Sequence, residues 1–221
     1  MDTYLPVAMP SLRELPKISV TKYVNRLHSY VPKYSNKWGS LSEYIPDSDV
    51  SNWIPPFRAV ATLNGNHVTT FDGEEYAFSG KCSYVLARDY TDGNFSVIMN
   101  FLGKDKQQLI IMTANEKLQI APNGKLRVDG KIISTPYRSG ELSVVSEEQS
   151  FNVYGRGFTV NYNIPRDQLK LVVSGWYHGK VGGLFGTNNN EVYDDMMTSS
   201  RRTVNDVDPF VNSWEVDSKC R

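Results

Sequence analysis

The sequence predicts a mainly β protein: an antiparallel β-sandwich with a short C-terminal helix, preceded by a partly helical N-terminal segment. Three observations carry this. From Phe57 to about Val173, short runs of alternating apolar and polar residues recur with turn residues between them. Asn64-Gly65 stands between two such runs, the strongest short-range hairpin signal. After the glycine-rich stretch Gly182-Gly183-Leu184-Phe185-Gly186 the texture changes to one short helical segment. A chain of 221 residues that is 40% hydrophobic and 12% aromatic can bury a proper core.

Taken in order, residues 1–56 form an N-terminal segment. In it Thr21 is placed to cap a helix with Tyr23, Val24, Leu27, Tyr30 and Val31 on one face, a face that suits a neighbouring domain better than lipid. A stretch containing Pro, Ser and Trp leads to Trp53-Ile54-Pro55-Pro56, read as the hinge into a main domain at 57–221. Strands are expected at 58–63 and 67–71, in an alternating run headed by Cys82, and at 95–99, 108–112, 117–120, 125–128, 142–145, 151–154, 158–162 and 169–173. Gly124, Asp129-Gly130 and Gly155-Arg156-Gly157 punctuate them in the rhythm of an antiparallel sandwich. Asp208 is expected to cap the final helix, with Pro209 at its first position.

Charge narrows the function. Lysine plus arginine and aspartate plus glutamate are both 24, and no basic run interleaves with aromatics, so nucleic acid is not an expected partner. Met1 to Pro10 lack the charged and apolar regions of a signal peptide, and no stretch has the length of a transmembrane segment. If secreted, the chain is expected to be a processed fragment or a piece of a longer precursor.

The run Thr187-Asn188-Asn189-Asn190-Glu191-Val192-Tyr193-Asp194-Asp195 packs side-chain oxygens into one turn, as a hard cation such as calcium requires, although its spacing is not that of an EF-hand. An asparagine-rich surface turn without metal is the plainer reading of the same residues. The glycines at 182–186 lack the trailing lysine of a phosphate loop and are read as tight-turn residues. His28, His67 and His178 stand in no nucleophile or zinc motif, so no catalytic residue is assigned. Asn94-Phe95-Ser96 is a glycosylation sequon that matters only in a secreted chain.

Two separated segments carry a family resemblance. Thr70-Phe71-Asp72-Gly73, running on to Ser79-Gly80-Lys81-Cys82-Ser83-Tyr84-Val85-Leu86-Ala87, is answered by Gly182 to Glu191, Asp194-Asp195, Asn212-Ser213-Trp214-Glu215-Val216 and Cys220. In this order the pieces resemble the von Willebrand factor type D domain, from about Phe57 onward. The resemblance implies a disulfide between Cys82 and Cys220. A bridge closing a loop of about 140 residues would stabilise by roughly 4–5 kcal/mol in the chain-entropy model. It also implies a calcium loop built from Asp72, Asn189, Asp194 and Asp195, with Thr187 as a further ligand and Glu191 offering its backbone carbonyl.

Departures from the family pattern are informative. Phe185 stands where many members place a cysteine, and the first strand also lacks its partner cysteine. The linked-multimer chemistry of cysteine-rich relatives is therefore not expected here. Gly65-Asn66-His67 replaces the Gly-Asp-Pro-His at which several relatives cleave themselves.

The low cysteine count, with Gly175-Trp176-Tyr177-His178-Gly179-Lys180, is most similar to the type D domain of invertebrate large lipid transfer proteins, apolipophorin nearest. That resemblance implies a non-catalytic C-terminal module of a secreted, extracellular lipoprotein circulating in haemolymph. Its lipid cargo would be carried by the parent protein, and its partners would be the remainder of the larger precursor and a lipoprotein receptor. An adhesion or matrix type D module, or a type D-containing enzyme, remains an alternative. The strands bury apolar surface only for their own core, so affinity of this piece for lipid is expected to be weak.

Overall fold

The computed structural model describes residues 58–103 and 106–216; the expected N-terminal helix, the Pro55-Pro56 hinge and Cys220 lie outside the described residues. The described part is mainly β, in two antiparallel sheets. The first has eight strands in the order β10-β11-β12-β13-β14-β1-β2-β3. These are β1 (Arg58–Asn64), β2 (His67–Thr69), β3 (Glu75–Ala77), β10 (Tyr137–Arg138), β11 (Ser143–Glu147), β12 (Ser150–Gly155), β13 (Phe158–Asn163) and β14 (Gln168–Ser174). The second has seven, in the order β15-β4-β5-β6-β7-β8-β9. Its members are β4 (Ser83–Asp89), β5 (Phe95–Phe101), β6 (Gln107–Thr113), β7 (Lys117–Ile120), β8 (Leu126–Val128), β9 (Lys131–Ile133) and β15 (Val181–Gly182).

Alternation decides which side of each strand is buried. In β1 the side chains of Ala59, Ala61 and Leu63 point into the core while Arg58, Val60 and Asn64 are exposed. The same parity places Val160, Leu171 and Val173 from the first sheet, and Met99, Leu109, Ile111 and Ile120 from the second, at zero exposure. The sheets meet through rings: Phe95 lies 4.7 Å from Phe158 and 5.0 Å, edge to face, from Tyr177, centroid to centroid. Each such buried ring contributes on the order of 1.5–3 kcal/mol by leaving water.

Two local expectations are corrected. In the first hairpin Asn64 pairs with His67, so the loop is Gly65-Asn66, and Gly65 supplies the positive φ of 61° at its first position. The helix, α1, spans Val207–Ser213 with Asp206, not Asp208, as the extended N-cap. Pro209 is thus its third residue rather than its first. That position tolerates proline because the first amides of any helix lack intrahelical acceptors. After α1 the chain returns to β4: Trp214 O accepts from Val85 N at 3.0 Å and Val216 N donates to Ser83 O at 2.8 Å.

Strand β4 carries the feature that positions the loop described next. Its register with β5 slips between Val85 and Ala87, making Leu86 an extra residue. There Leu184 N donates to Val85 O at 3.0 Å and Phe185 N to Leu86 O at 2.8 Å. Gly183, at φ 144°, lets the backbones approach; a Cβ there would sit 2.5 Å from Leu86 O.

Candidate metal site

Docking of Leu184-Phe185 on β4 brings the two halves of the sequence motif together. Phe71 N donates to Phe185 O at 2.9 Å, and the two rings meet edge to face at 6.1 Å. Tyr76 on β3 donates its hydroxyl to Leu184 O at 2.5 Å. The turn that follows β2 and the loop that follows β15 are therefore one structure, although more than a hundred residues apart in sequence.

Asp72 accepts from the backbone amides of Asn189, 2.9 Å to Oδ2, and Asn190, 3.0 Å to Oδ1. Asn188 and Asn190 hold positive φ values of 54° and 69°, which aim successive amides at that carboxylate. Asp194 Oδ1 accepts from Thr187 Oγ1 at 3.2 Å, and both its oxygens accept from Asn189 Nδ2, at 3.1 and 2.9 Å. Asp195, only 1% exposed, accepts from Thr70 Oγ1 at 2.6 Å and from Thr187 N at 3.1 Å. Gly186, at φ 80°, passes so close that a Cβ there would overlap Asp195 Oδ1. Glu191 is exposed, and its amide donates to Asn189 Oδ1 at 2.8 Å.

Burial pushes the Asp195 carboxyl up to about 7; hydrogen bonds from Thr70 and Thr187 oppose this, while the Asp72 carboxylate, in both charge and hydrogen bond, adds to it. Two carboxyl groups in contact need either a shared proton or a cation between them. The surrounding donors are of the kind a hard cation takes: carboxylates of Asp72, Asp194 and Asp195, the amide oxygen of Asn189 and the hydroxyl of Thr187. Asn188, fully buried, keeps an Oδ1 with no hydrogen-bond partner. Among the described residues, no three His, Cys, Asp or Glu side chains converge closely enough to hold a metal ion. The three aspartates are instead tied through Thr187 and Asn189.

The structure brings Asp72, Thr187, Asn189, Asp194 and Asp195 into one hydrogen-bonded cluster, and Glu191, expected to offer its backbone carbonyl, is exposed beside it. Sequence reasoning overlooked Thr70, 1% exposed, whose Oγ1 also accepts from the amides of Gly73 and Glu74 at 3.2 and 2.8 Å. The signal was present, because Thr70 opens the quoted Thr-Phe-Asp-Gly turn. His178 lies near Asp72, and burial pulls its imidazole down while the Asp72 charge opposes that shift. His67 is exposed on β2.

Cys82 is 6% exposed at the head of β4; its expected partner lies outside the described residues, but Val216, bonded to Ser83, is four positions before it in sequence. Asn94 is half-buried and donates Nδ2 to the buried Asp89 at 2.9 Å. A glycan takes one amide hydrogen and leaves the other for that bond. Among the described residues no helix is long and apolar enough to cross a membrane.

Comparison with known proteins bears on the family of the chain. The von Willebrand factor type D domain model matches residues 61–202, which hold every residue of the cluster. Apolipophorins of Locusta migratoria are 31% identical over 99% of this chain and 6% of their own length, and apolipophorin of Galleria mellonella is 31% identical over 81% and 12%. Mucin-6 of Gallus gallus is 29% identical over 68% of this chain and 14% of its own. The chain therefore spans a small part of each of these relatives. With its fold and both halves of the motif in place, this chain belongs to the von Willebrand factor type D domain family.

Proposed function

We propose that the chain is a non-catalytic type D module of a secreted lipoprotein of the large lipid transfer class, with the lipid cargo carried mainly by other parts of the larger protein. The observation that carries this is the reach of the Locusta alignment. It covers 99% of the chain, so it includes residues upstream of the type D match that begins at residue 61. The low cysteine count adds support, since Phe185 fills a fully buried position where many type D domains have a cysteine. The mucin relative favours a second reading, an adhesion or matrix module, with comparable identity over a smaller share of the chain.

Within this role, calcium would be held by Asp72, Asn189, Asp194, Asp195 and Thr187, with the Glu191 carbonyl at the rim. Its charge would take the place of the proton between Asp72 and Asp195 and tie the two loops together. A disulfide from Cys82 to Cys220 would fasten the C-terminal return to β4, and Asn94 would carry a glycan. Extracellular fluid of the source animal, separated by buoyant density and probed with an antibody to this chain, tests the assignment. Recovery in the buoyant lipoprotein fraction is expected; recovery only in dense, disulfide-linked multimers would replace it with the adhesion reading.

A further inference from the structure

Charge is balanced over the chain but not over the fold. The stretch from Lys117 to Ile133, which makes β7, β8 and β9, holds four cations, Lys117, Lys125, Arg127 and Lys131, against the one carboxylate of Asp129. All four cations are exposed. Strand register sets Arg127 beside Ile132 and Lys117 beside Met112, on the face opposite the buried Leu118, Leu126 and Val128. Ile132 is 68% exposed and Met112 40%. Within their bounds β4 to β9 carry no aspartate or glutamate on the outward rows, although Asp129, just past β8, accepts from Lys117 N at 3.0 Å; among the described residues β9 ends the sheet.

The charge faces outward rather than into a slot. A cleft of about 360 Å³ beside β9 is lined by Lys125, Ile132 and Glu148 but by none of the other three cations, so Ile132 has one side on the cleft and one on the outward face. Cations spread over strands about 4.8 Å apart, with Met112 and Ile132 flanking them on the neighbouring strands, match a two-dimensional array of anionic headgroups better than a threaded peptide. We propose that this edge of the second sheet is where the module meets an anionic phospholipid surface. Ile132 enters among the headgroups, and Arg127 and Lys117 face the phosphates, while Lys131, paired with Val128, stands on the other side of β9. The proposal rests on the lipoprotein reading above and sharpens it by giving the module its own weak, charge-dependent contact with the lipid surface.

The test is flotation of the whole 221-residue chain with vesicles of phosphatidylcholine alone and of phosphatidylcholine mixed with phosphatidylserine. Association with the anionic vesicles only, declining as salt rises, is expected. Reversing two charges with Arg127→Glu and Lys117→Glu should lower the partition coefficient roughly tenfold or more. Ile132→Ser should lower it about severalfold. These positions are exposed, so an unchanged melting temperature separates loss of contact from loss of fold.

Absence of flotation with either vesicle overturns the proposal. So does flotation unaffected by the variants, which would assign lipid contact to residues 1–56. Variants that aggregate more but partition as wild type would mean the cations only guard an open strand edge, and binding to polyglutamate with no vesicle association would mean an acidic protein partner. A parent protein found in the buoyant fraction, with no flotation of this chain, sinks this inference alone. Flotation of this chain with a parent found only in dense multimers sinks the lipoprotein reading alone.

Discussion

Replacing Asp195 by asparagine is expected to change the sign of its effect with calcium. Its carboxyl titrates near 7 in the fold because burial and the Asp72 charge disfavour ionisation, against an ordinary value of 3.8. The native state therefore holds this proton more tightly than the unfolded chain does. Stability from this site is fullest below about pH 4 and is lost as pH rises through about 7. Three pH units correspond to a ceiling of about 4 kcal/mol; water reaching the half-buried Asp72 side of the pair reduces this to roughly 2 kcal/mol. Asparagine keeps an acceptor for Thr187 N and presents an amide to Asp72, but Thr70 Oγ1 already accepts from the Gly73 and Glu74 amides, so its hydroxyl loses the Asp195 acceptor at a cost of about 1 kcal/mol. Urea denaturation in chelator should then find Asp195→Asn more stable than wild type at pH 8, by about 1 kcal/mol, and less stable than it at pH 4. With calcium near a hundred times its dissociation constant, wild type gains about 2.7 kcal/mol by mass action and the variant, one charge poorer, gains less. A variant less stable than wild type at pH 8 in chelator would refute the carboxylate-pair reasoning, and identical melts with and without calcium would remove the metal.

Phe185→Ala empties a fully buried ring site that packs on Phe71 and should cost about 3–5 kcal/mol in chemical denaturation, with weaker calcium dependence because the two loops lose their shared wedge. Gly183→Ala forces a Cβ to 2.5 Å from Leu86 O and should destabilise by more than ~1 kcal/mol, seen as faster amide exchange at Leu184 and Phe185. Non-reducing peptide mapping should recover Cys82 linked to Cys220, and reduction should lower stability by at most roughly 4–5 kcal/mol. Two free thiols on the natively isolated protein would end that assignment.

The fold was legible because a strand with one buried face writes its burial into the sequence with period two. The run Arg58-Ala-Val-Ala-Thr-Leu announces β1 directly, and Phe158-Thr-Val-Asn-Tyr announces β13. Strands β3, β9, β10 and β15 span two or three residues and were not anticipated, whereas β2 and β8, three residues each, were found only as parts of the longer runs 67–71 and 125–128. The cap of α1 was misplaced because Asp206 and Asp208 both precede Phe210 at plausible spacing, and only the backbone angles of Asp206 separate them. The clustered aspartates were visible as a short-range density of oxygen atoms. Thr70 stood in the quoted Thr-Phe-Asp-Gly turn, but the partner of its hydroxyl, Asp195, lies 125 residues away and only the fold reveals it.

The bulge at Leu86 explains why the two halves of the motif require each other. A regular β4 would put Leu86 and Ala87 on opposite faces, whereas both are fully buried. The extra residue instead turns the Leu86 carbonyl towards Phe185 while Leu86 itself stays fully buried. Glycine at 183 is then needed for the approach, and the aromatic at 185 is the wedge that presses on Phe71 and so fixes Asp72 against the Asn189 and Asn190 amides. Each contact supplies the geometry for the next one. The cluster of carboxylates is thus a product of backbone docking, and a substitution at Leu86 or Gly183, which touch no carboxylate, should disturb it as surely as one at Asp72.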